Sequence, residues 1–271
     1  MARRSWIDKQ RLRPVQNIEL TARDGQKLRG YLTLPADEKK PYPLVVLPHG
    51  GPFGIRDYRD FNGEVQLLAH NGYAVLQVNF RGSGGYGTAF EKAGHRQWGQ
   101  AMQDDLTDAT QWLVEQGYAD KNRMCIFGAS YGGYAALMGV IREPDLYRCA
   151  IGYAGVYDLN MMYEEGGLRY YSDGVTYLER TLGEDSPELK AYSPVHQVDK
   201  IKVPLFIAHG GEDRVVPDEH AKALRDALKD ANKEFEWLHY RREVHGFANQ
   251  EHLQAFYSKV LAFLDEHIGE S

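Results

Sequence analysis

The stretch that decides the fold is RMCIFGASYGG, residues 123–133. Its apolar first part predicts a β-strand over residues 123–129, and residues 131–141 predict a helix. Between them, Gly128, Ser130 and Gly132 form a Gly-x-Ser-x-Gly pattern, which places a serine on a tight strand-to-helix turn. Such a turn lifts the hydroxyl out of the sheet, and the helix N-terminus offers backbone N–H groups to a developing negative charge. The pattern therefore predicts Ser130 as a nucleophile and the N–H of Tyr131 as an oxyanion donor.

Apolar runs alternate with amphipathic segments on both sides of this stretch. The strand-like runs are residues 15–22, 27–34, 44–47, 73–80, 123–129, 149–154, 203–208 and 235–240, and the helix-like ones are 101–116, 131–141, 220–229 and 252–267. This alternation predicts a mainly parallel sheet with right-handed crossovers and helices on both faces. The first two strands are joined by a short turn, which indicates an antiparallel hairpin at the N-terminal edge. We expect an α/β protein with the α/β-hydrolase fold and an eight-stranded sheet.

The length of 271 residues suits one domain, residues 1–271. The alternation lapses over residues 156–200, and we expect this insertion to form part of the pocket wall. Several aromatic side chains are candidates for an apolar acyl pocket. Those assigned to the pocket are Phe53, Tyr157 and Phe247, and those that either line it or only pack are Tyr170, Tyr171 and Tyr177.

A second oxyanion donor is expected in the loop after the strand at residues 44–47. That loop reads Pro48-His49-Gly50-Gly51-Pro52, and its glycines let the backbone approach a substrate. The N–H of Gly51 is therefore paired with the N–H of Tyr131. Removing one such donor typically costs about 2.7–4 kcal/mol of transition-state stabilisation.

A serine nucleophile needs a base and an orienting acid, which in this fold follow it in the order serine, acid, histidine. Asp213 lies just past the strand at residues 203–208, where the acid belongs, and Glu212 is its competitor. His245 is on the loop after the last strand. The other histidines after Asp213 fall in helical or strand segments; they are His220, His239, His252 and His267. We assign Asp213 as the acid and His245 as the base.

Composition argues against several other classes of protein. A net charge of −6, with Lys and Arg scattered along the chain, disfavours nucleic acid or an anionic membrane as a partner. No apolar run has the length of a membrane span, and the N-terminus lacks the apolar core of a signal peptide, so cytoplasm is the default location. Cys125 and Cys149 are expected to be buried free thiols.

Neither a metal nor a cofactor is expected. The ten histidines form no His-Glu-x-x-His pattern, and the cysteines have no paired metal spacing. Residues 82–87 fit Gly-x-Gly-x-x-Gly, but they follow the fourth strand-like run instead of opening a nucleotide-binding unit. We interpret them as a packed loop beside the site, with Arg81 as the side chain that orders it.

Together these segments resemble the catalytic domain of the prolyl oligopeptidase family, and most of all its acylaminoacyl-peptidase branch. The matching segments span residues 15–265 in the family's order; they are residues 49–52, 79–87, 98–99 with 104–105, 128–133, 193–194, 209–213 and 245–247. The resemblance implies a serine peptidase or acyl hydrolase with the residues assigned above. We expect a small-molecule ester or a short peptide as substrate, and a homo-oligomer is an option.

One departure leaves alternatives open. Members of that family normally carry a large N-terminal β-propeller, whereas only about fourteen residues precede the first strand here. The chain is then either the catalytic domain of a larger serine peptidase or a free-standing relative with an open site. An open site favours carboxylesterase activity on small esters, because an ester needs less protonation of its leaving group than an amide. A non-catalytic binding protein is the third reading.

Overall fold

The computed structural model describes residues 8–37, 39–165, 167 and 173–269. Within these ranges, the apolar runs form one sheet of eight strands, β1 to β8. Their bounds are Val15–Thr21, Lys27–Thr33, Tyr42–Val46, Ala74–Asn79, Ala119–Ala129, Cys149–Tyr153, Leu205–Gly210 and Phe235–Tyr240. The spatial order is β1-β2-β4-β3-β5-β6-β7-β8. Strands β1, β2 and β4 pair antiparallel, and every other neighbouring pair is parallel. The predicted α/β-hydrolase fold is confirmed.

Eight α-helices, α1 to α8, connect the strands in the described part of the chain. They span Gly63–His70, Thr88–Lys92, Ala101–Glu115, Tyr131–Arg142, Met161–Glu164, Gly174–Thr181, Asp218–Asp230 and Gln250–Ile268. The four long ones, α3, α4, α7 and α8, match the predicted segments within two residues. The short ones were not predicted from the sequence. Helix α1, for example, depends on the side chain of Asn62, which accepts hydrogen bonds from the N–H groups of Glu64 and Val65.

The helices cover both faces of the sheet because the central strands are apolar on both sides. Along β5, Met124 and Ile126 face the core shared with α3, α4 and α7, whereas Cys125 and Phe127 face the core shared with α1 and α8. This two-residue alternation is the period of a β-strand. Because β5, β6, β7 and β8 pair parallel, the carboxyl ends of β5, β7 and β8 lie at the same edge of the sheet.

The expectation of free thiols is wrong. Cys125 and Cys149 occupy directly opposite positions on the parallel strands β5 and β6, with their Cα atoms 4.9 Å apart, and they form a disulfide. Side chains at paired positions of neighbouring strands point to the same face of a sheet, which brings the two sulfur atoms together. The sequence shows two buried cysteines but not that their strands pair in this register.

The segment between β6 and β7 has more regular structure than expected. Its described residues contain α5, α6 and three short 3-10 turns, at Pro187–Tyr192, Pro194–His196 and Val198–Lys200. Tyr170 and Tyr171, two of the candidate pocket residues, lie outside the described residues. Among the helices of the described ranges, none is both long enough and apolar enough to cross a membrane.

Candidate active site

Ser130 lies between the last residue of β5 and the first residue of α4, with φ 58° and ψ −121°. A positive φ is unfavourable for a residue with a side chain and persists where the surroundings enforce it. Here backbone atoms of neighbouring segments lie very close to the turn. A Cβ at Gly132 would overlap the carbonyl oxygen of Pro48, and a Cβ at Gly128 would overlap the backbone of Gly132. The two glycines of the sequence pattern are therefore required by close backbone contacts around the serine.

The turn is held to the neighbouring strand by hydrogen bonds. Ser130 donates its N–H to the carbonyl oxygen of Tyr153, 2.9 Å away at the end of β6. Its own carbonyl oxygen accepts the N–H of Tyr134, 3.1 Å away, within the first turn of α4. Ser130 thus stands at the helix N-terminus, where unpaired N–H groups carry partial positive charge.

Asp213 and His245, assigned from different loops, are brought together by the fold. His245 Nδ1 donates to Asp213 Oδ2 at 2.7 Å. Asp213 Oδ1 accepts the N–H groups of Val215 and Val216, each at 2.9 Å. A carboxylate only accepts hydrogen bonds, so the proton lies on Nδ1 and leaves Nε2 of the imidazole with a free lone pair. The competing acid, Glu212, is exposed one residue away.

His49 orients the loop that carries Gly51. Its Nδ1 donates to the carbonyl oxygen of Gly50 at 2.7 Å, its Nε2 accepts from the Ser83 hydroxyl at 2.8 Å, and its ring stacks on Phe80. Burial lowers the pKa of His49 to about 4, so the ring is neutral at pH 7 and keeps this arrangement. The C=O of Gly50 and the N–H of Gly51 belong to one peptide group and point in opposite directions. The N–H of Gly51 therefore points away from the His49 ring.

The loop also passes directly over the serine. A Cβ at Gly50 would lie 3.5 Å from the Cβ of Ser130. Gly51, Ser130 and Tyr131 line one cavity of about 240 Å³. The structure thus places the two predicted oxyanion donors and the predicted nucleophile around the same space.

The rest of this cavity is mainly apolar. Its apolar wall consists of Trp98, Val156, Met162, Leu178, Leu182 and Val216, and Tyr177, Thr181 and Val215 complete it. Three of these residues, Tyr177, Leu178 and Thr181, come from α6 in the insertion. The sequence indicated Tyr177 but not its neighbours, because a short helix with an irregular approach gives no periodic signal.

None of the three aromatic residues assigned to the pocket is among the described residues that line this cavity. Tyr157 is fully buried, with its ring against the backbone of Gly152 and Gly155, so it belongs to the core and not to the cavity wall. The ring of Phe53 makes an edge-on contact with the ring of Tyr177, with centroids 6.5 Å apart. Phe247 packs in the core near α8, edge-on to Tyr153 at 4.9 Å. The sequence placed each residue near the site but could not show which way its ring turns.

The loop at residues 82–87 is ordered by a buried ion pair. Arg81 donates to both carboxylate oxygens of Asp105, at 2.6 and 2.9 Å, and to Asp24 Oδ2 at 2.7 Å. This bidentate arrangement holds the loop so that the hydroxyl of Ser83 reaches His49. Across the described residues, no cluster of three or more His, Cys, Asp or Glu side chains has the arrangement to hold a metal ion.

The sequence matches the family described as "Prolyl oligopeptidase family" over residues 59–271. It is 37% identical over 269 residues to dipeptidyl aminopeptidase BIII of Pseudoxanthomonas mexicana, covering 94% of this chain and 39% of that protein. It is 27% identical over 296 residues to dipeptidyl peptidase family member 6 of Caenorhabditis elegans, covering 99% of this chain and 40% of that one. The chain thus spans about two fifths of the length of these relatives.

Solved structures of peptidases also match nearly all of this chain but only about two fifths of their own length. A puromycin-hydrolysing peptidase of Mycobacterium tuberculosis superposes with a TM-score of 0.91 at 28% identity, over 98% of this chain and 41% of that one. The acylaminoacyl peptidase of Pyrococcus horikoshii superposes with a TM-score of 0.87 at 25% identity, over 96% of this chain and 43% of that one.

Proposed function

Because this chain belongs to the prolyl oligopeptidase family of serine hydrolases, we propose that it cleaves short peptides through an acyl-enzyme on Ser130. The observation that carries the proposal is the 2.7 Å hydrogen bond between His245 and Asp213, at the sheet edge where Ser130 leaves β5. That bond leaves the Nε2 lone pair of His245 free to take a proton.

The proposed reaction follows from these positions. His245 Nε2 takes the hydroxyl proton of Ser130 while Oγ bonds to the carbonyl carbon of the substrate. The negative charge that develops on the carbonyl oxygen is stabilised by the N–H groups of Gly51 and Tyr131. His245 then gives its proton to the departing amine, which leaves the acyl group on Ser130. Water, deprotonated by His245, hydrolyses the acyl-enzyme, while Asp213 stabilises the imidazolium at each proton transfer.

The cavity supports a preference for the residue that supplies the acyl group. Its volume of about 240 Å³ and its wall of Trp98, Val156 and Leu182 suit an apolar side chain of moderate size. Charged side chains would lose hydration there, and none of the described lining residues offers a counter-charge. We therefore propose peptides whose scissile bond follows an apolar residue.

Peptide bonds are preferred over esters in this proposal because of the relatives. The proteins compared above are named as an aminopeptidase, a peptidase family member, a puromycin-hydrolysing peptidase and an acylaminoacyl peptidase. The carboxylesterase preference expected from an open site has no support among them and stays a prediction.

The test is kcat/KM on two substrates that share one apolar acyl group, a p-nitrophenyl ester and the corresponding peptide anilide. Cleavage of the anilide, lost in Ser130→Ala, supports the proposed peptidase. Cleavage of the ester alone identifies an esterase and overturns the peptide assignment. No turnover of either substrate favours the non-catalytic reading.

A further inference from the structure

We propose that Glu243 is a positioning residue that holds His245 against Asp213 by closing the loop on both sides of the imidazole. The proposal rests on the proposed function, in which His245 is the base. Glu243 precedes His245 by two residues, on the connection between β8 and α8, and only 3% of its surface is exposed. A buried carboxylate beside a catalytic loop requires hydrogen-bond partners, and their identity defines its role.

The carboxylate binds the chain that follows His245. Glu243 Oε2 accepts the N–H of Ala248 at 2.7 Å, and Oε1 accepts the N–H of Asn249 at 3.2 Å. Residues 244–247, with His245 among them, therefore form an arc whose two ends are joined through one side chain. A loop closed in this way has few accessible conformations, so holding the imidazole in position costs little conformational entropy.

The backbone of the same residue binds the loop that carries the acid. The carbonyl oxygen of Glu243 accepts the N–H of Glu212 at 2.8 Å, and its N–H donates to the carbonyl oxygen of Tyr240 at 3.1 Å. Glu212 directly precedes Asp213. Glu243 thus contacts the acid loop through its main chain and the far end of the base loop through its side chain.

A third partner orients the carboxylate itself. His252 Nδ1 donates to Glu243 Oε1 at 2.5 Å, and the His252 ring stacks on Tyr240 with centroids 3.8 Å apart. Burial opposes ionisation of Glu243, but the hydrogen bonds from Ala248, His252 and Asn249 outweigh it and hold its pKa below the usual value. The group therefore stays a carboxylate, which accepts several hydrogen bonds at once.

The test compares Glu243→Gln with the wild-type protein by turnover and by the 1H NMR signal of the Nδ1 proton that His245 shares with Asp213. The variant keeps the size of the side chain but replaces one acceptor oxygen with an amide donor. We expect kcat to fall by about tenfold to a hundredfold while KM changes little, because the imidazole and not the substrate pocket is displaced. We also expect the His245 signal to disappear through exchange with water. Spectra of His245→Gln and His252→Phe distinguish the signal of the His245–Asp213 pair from that of the His252–Glu243 pair.

A matched control is Glu64→Gln. Glu64 is a half-buried acidic side chain that contacts α8, where it accepts the hydroxyl of Tyr257 at 3.0 Å, and among the described residues it makes no hydrogen bond to the His245 loop. This variant should keep wild-type kcat and the His245 signal. Equal losses in both variants would reduce Glu243 to a general stabilising role and overturn the proposal.

Retention of the His245 signal in folded Glu243→Gln also overturns the proposal, whatever the activity. If Glu243→Gln fails to fold, Glu243→Asp takes its place, because the shorter side chain moves the carboxylate away from its partners by one methylene group. An unchanged His245 signal in Glu243→Asp would also overturn the proposal. The NMR signal can be recorded without substrate. If the wild-type protein turned over neither the ester nor the anilide, the proposed function would be contradicted, but the signal would still decide the role of Glu243.

Discussion

Ser130 donates its backbone N–H to the carbonyl oxygen of Tyr153, and the hydroxyl of the same tyrosine accepts the backbone N–H of Phe247. Phe247 is two residues beyond His245. A single residue at the end of β6 therefore contacts both the turn of the serine and the loop of the histidine. This geometry explains how elements 115 residues apart in sequence keep a fixed relative position.

Replacing Tyr153 by Phe should weaken both stability and turnover. The variant leaves the buried N–H of Phe247 without its acceptor, which costs about 1–3 kcal/mol of the free energy of unfolding. Urea denaturation measures that loss, and kcat should fall with it. Tyr147→Phe is the control, because its hydroxyl bonds to Thr110 in the core, 3.1 Å away. Tyr147→Phe should lose stability but keep its kcat. A loss of kcat in both variants would contradict the role of Tyr153 in connecting the serine turn to the histidine loop.

Asp213→Asn should reduce kcat far more than Glu212→Gln. An amide at position 213 carries no charge to stabilise the imidazolium, and its N–H₂ group can hold His245 in the wrong tautomer; such a change costs about 10⁴-fold in a Ser-His-Asp triad. Glu212 is exposed and only its backbone contacts Glu243, so its side chain should be dispensable. Steady-state kinetics of both variants decide the matter. The opposite ranking would make Glu212 the acid.

His49→Phe should impair the oxyanion site without emptying the space of the ring. The phenyl group can still stack on Phe80, but both hydrogen bonds of the imidazole are lost, and the N–H of Gly51 loses its fixed direction. We expect kcat to fall by up to about a hundredfold to a thousandfold, the range found for loss of one oxyanion donor. Ser83→Ala removes only the hydrogen bond between Ser83 and His49 Nε2, so its kcat should lie between those of His49→Phe and the wild type. A wild-type kcat in His49→Phe would show that the loop carrying Gly51 keeps its conformation without the hydrogen bonds of His49.

His220 should make the protein less stable in acid. Its ring is buried, its Nδ1 accepts the N–H groups of Tyr157 and Asp158, and burial lowers its pKa to about 3. Between pH 6.5 and 3 the unfolded chain therefore binds a proton that the folded protein does not, so stability is complete above pH 6.5 and is lost as the pH falls. The contribution is at most about 1.4 kcal/mol per pH unit.

The measurement for this histidine is the free energy of unfolding against pH. His220→Gln, whose side chain still offers an acceptor but does not titrate, should show a shallower decline below pH 6.5. His70→Gln, at the exposed end of α1, serves as the control and should follow the wild type. An equal slope in His220→Gln and the wild type would mean that His220 does not carry the effect.

The parts of the site that the sequence predicts are those with a local pattern. Ser130 was predicted because strand, turn and helix are continuous in the chain, and His245 because it follows the last apolar run. The cavity had no such signal. Its wall joins Trp98 to the short helix α6, whereas Tyr157 and Phe247, two of the three aromatic residues expected there, are buried in the core.

By itself, the sequence determined the class of sheet, the serine turn and the short set of acids and bases, because each depends on periodicity or on close-range backbone sterics. Only the tertiary structure showed that Asp213 and not Glu212 is hydrogen-bonded to His245, paired Cys125 with Cys149 and placed Tyr157 in the core. These three outcomes depend on strand register and on side-chain direction across the sheet. Both are decided by packing between segments far apart in the chain, which a local pattern does not encode.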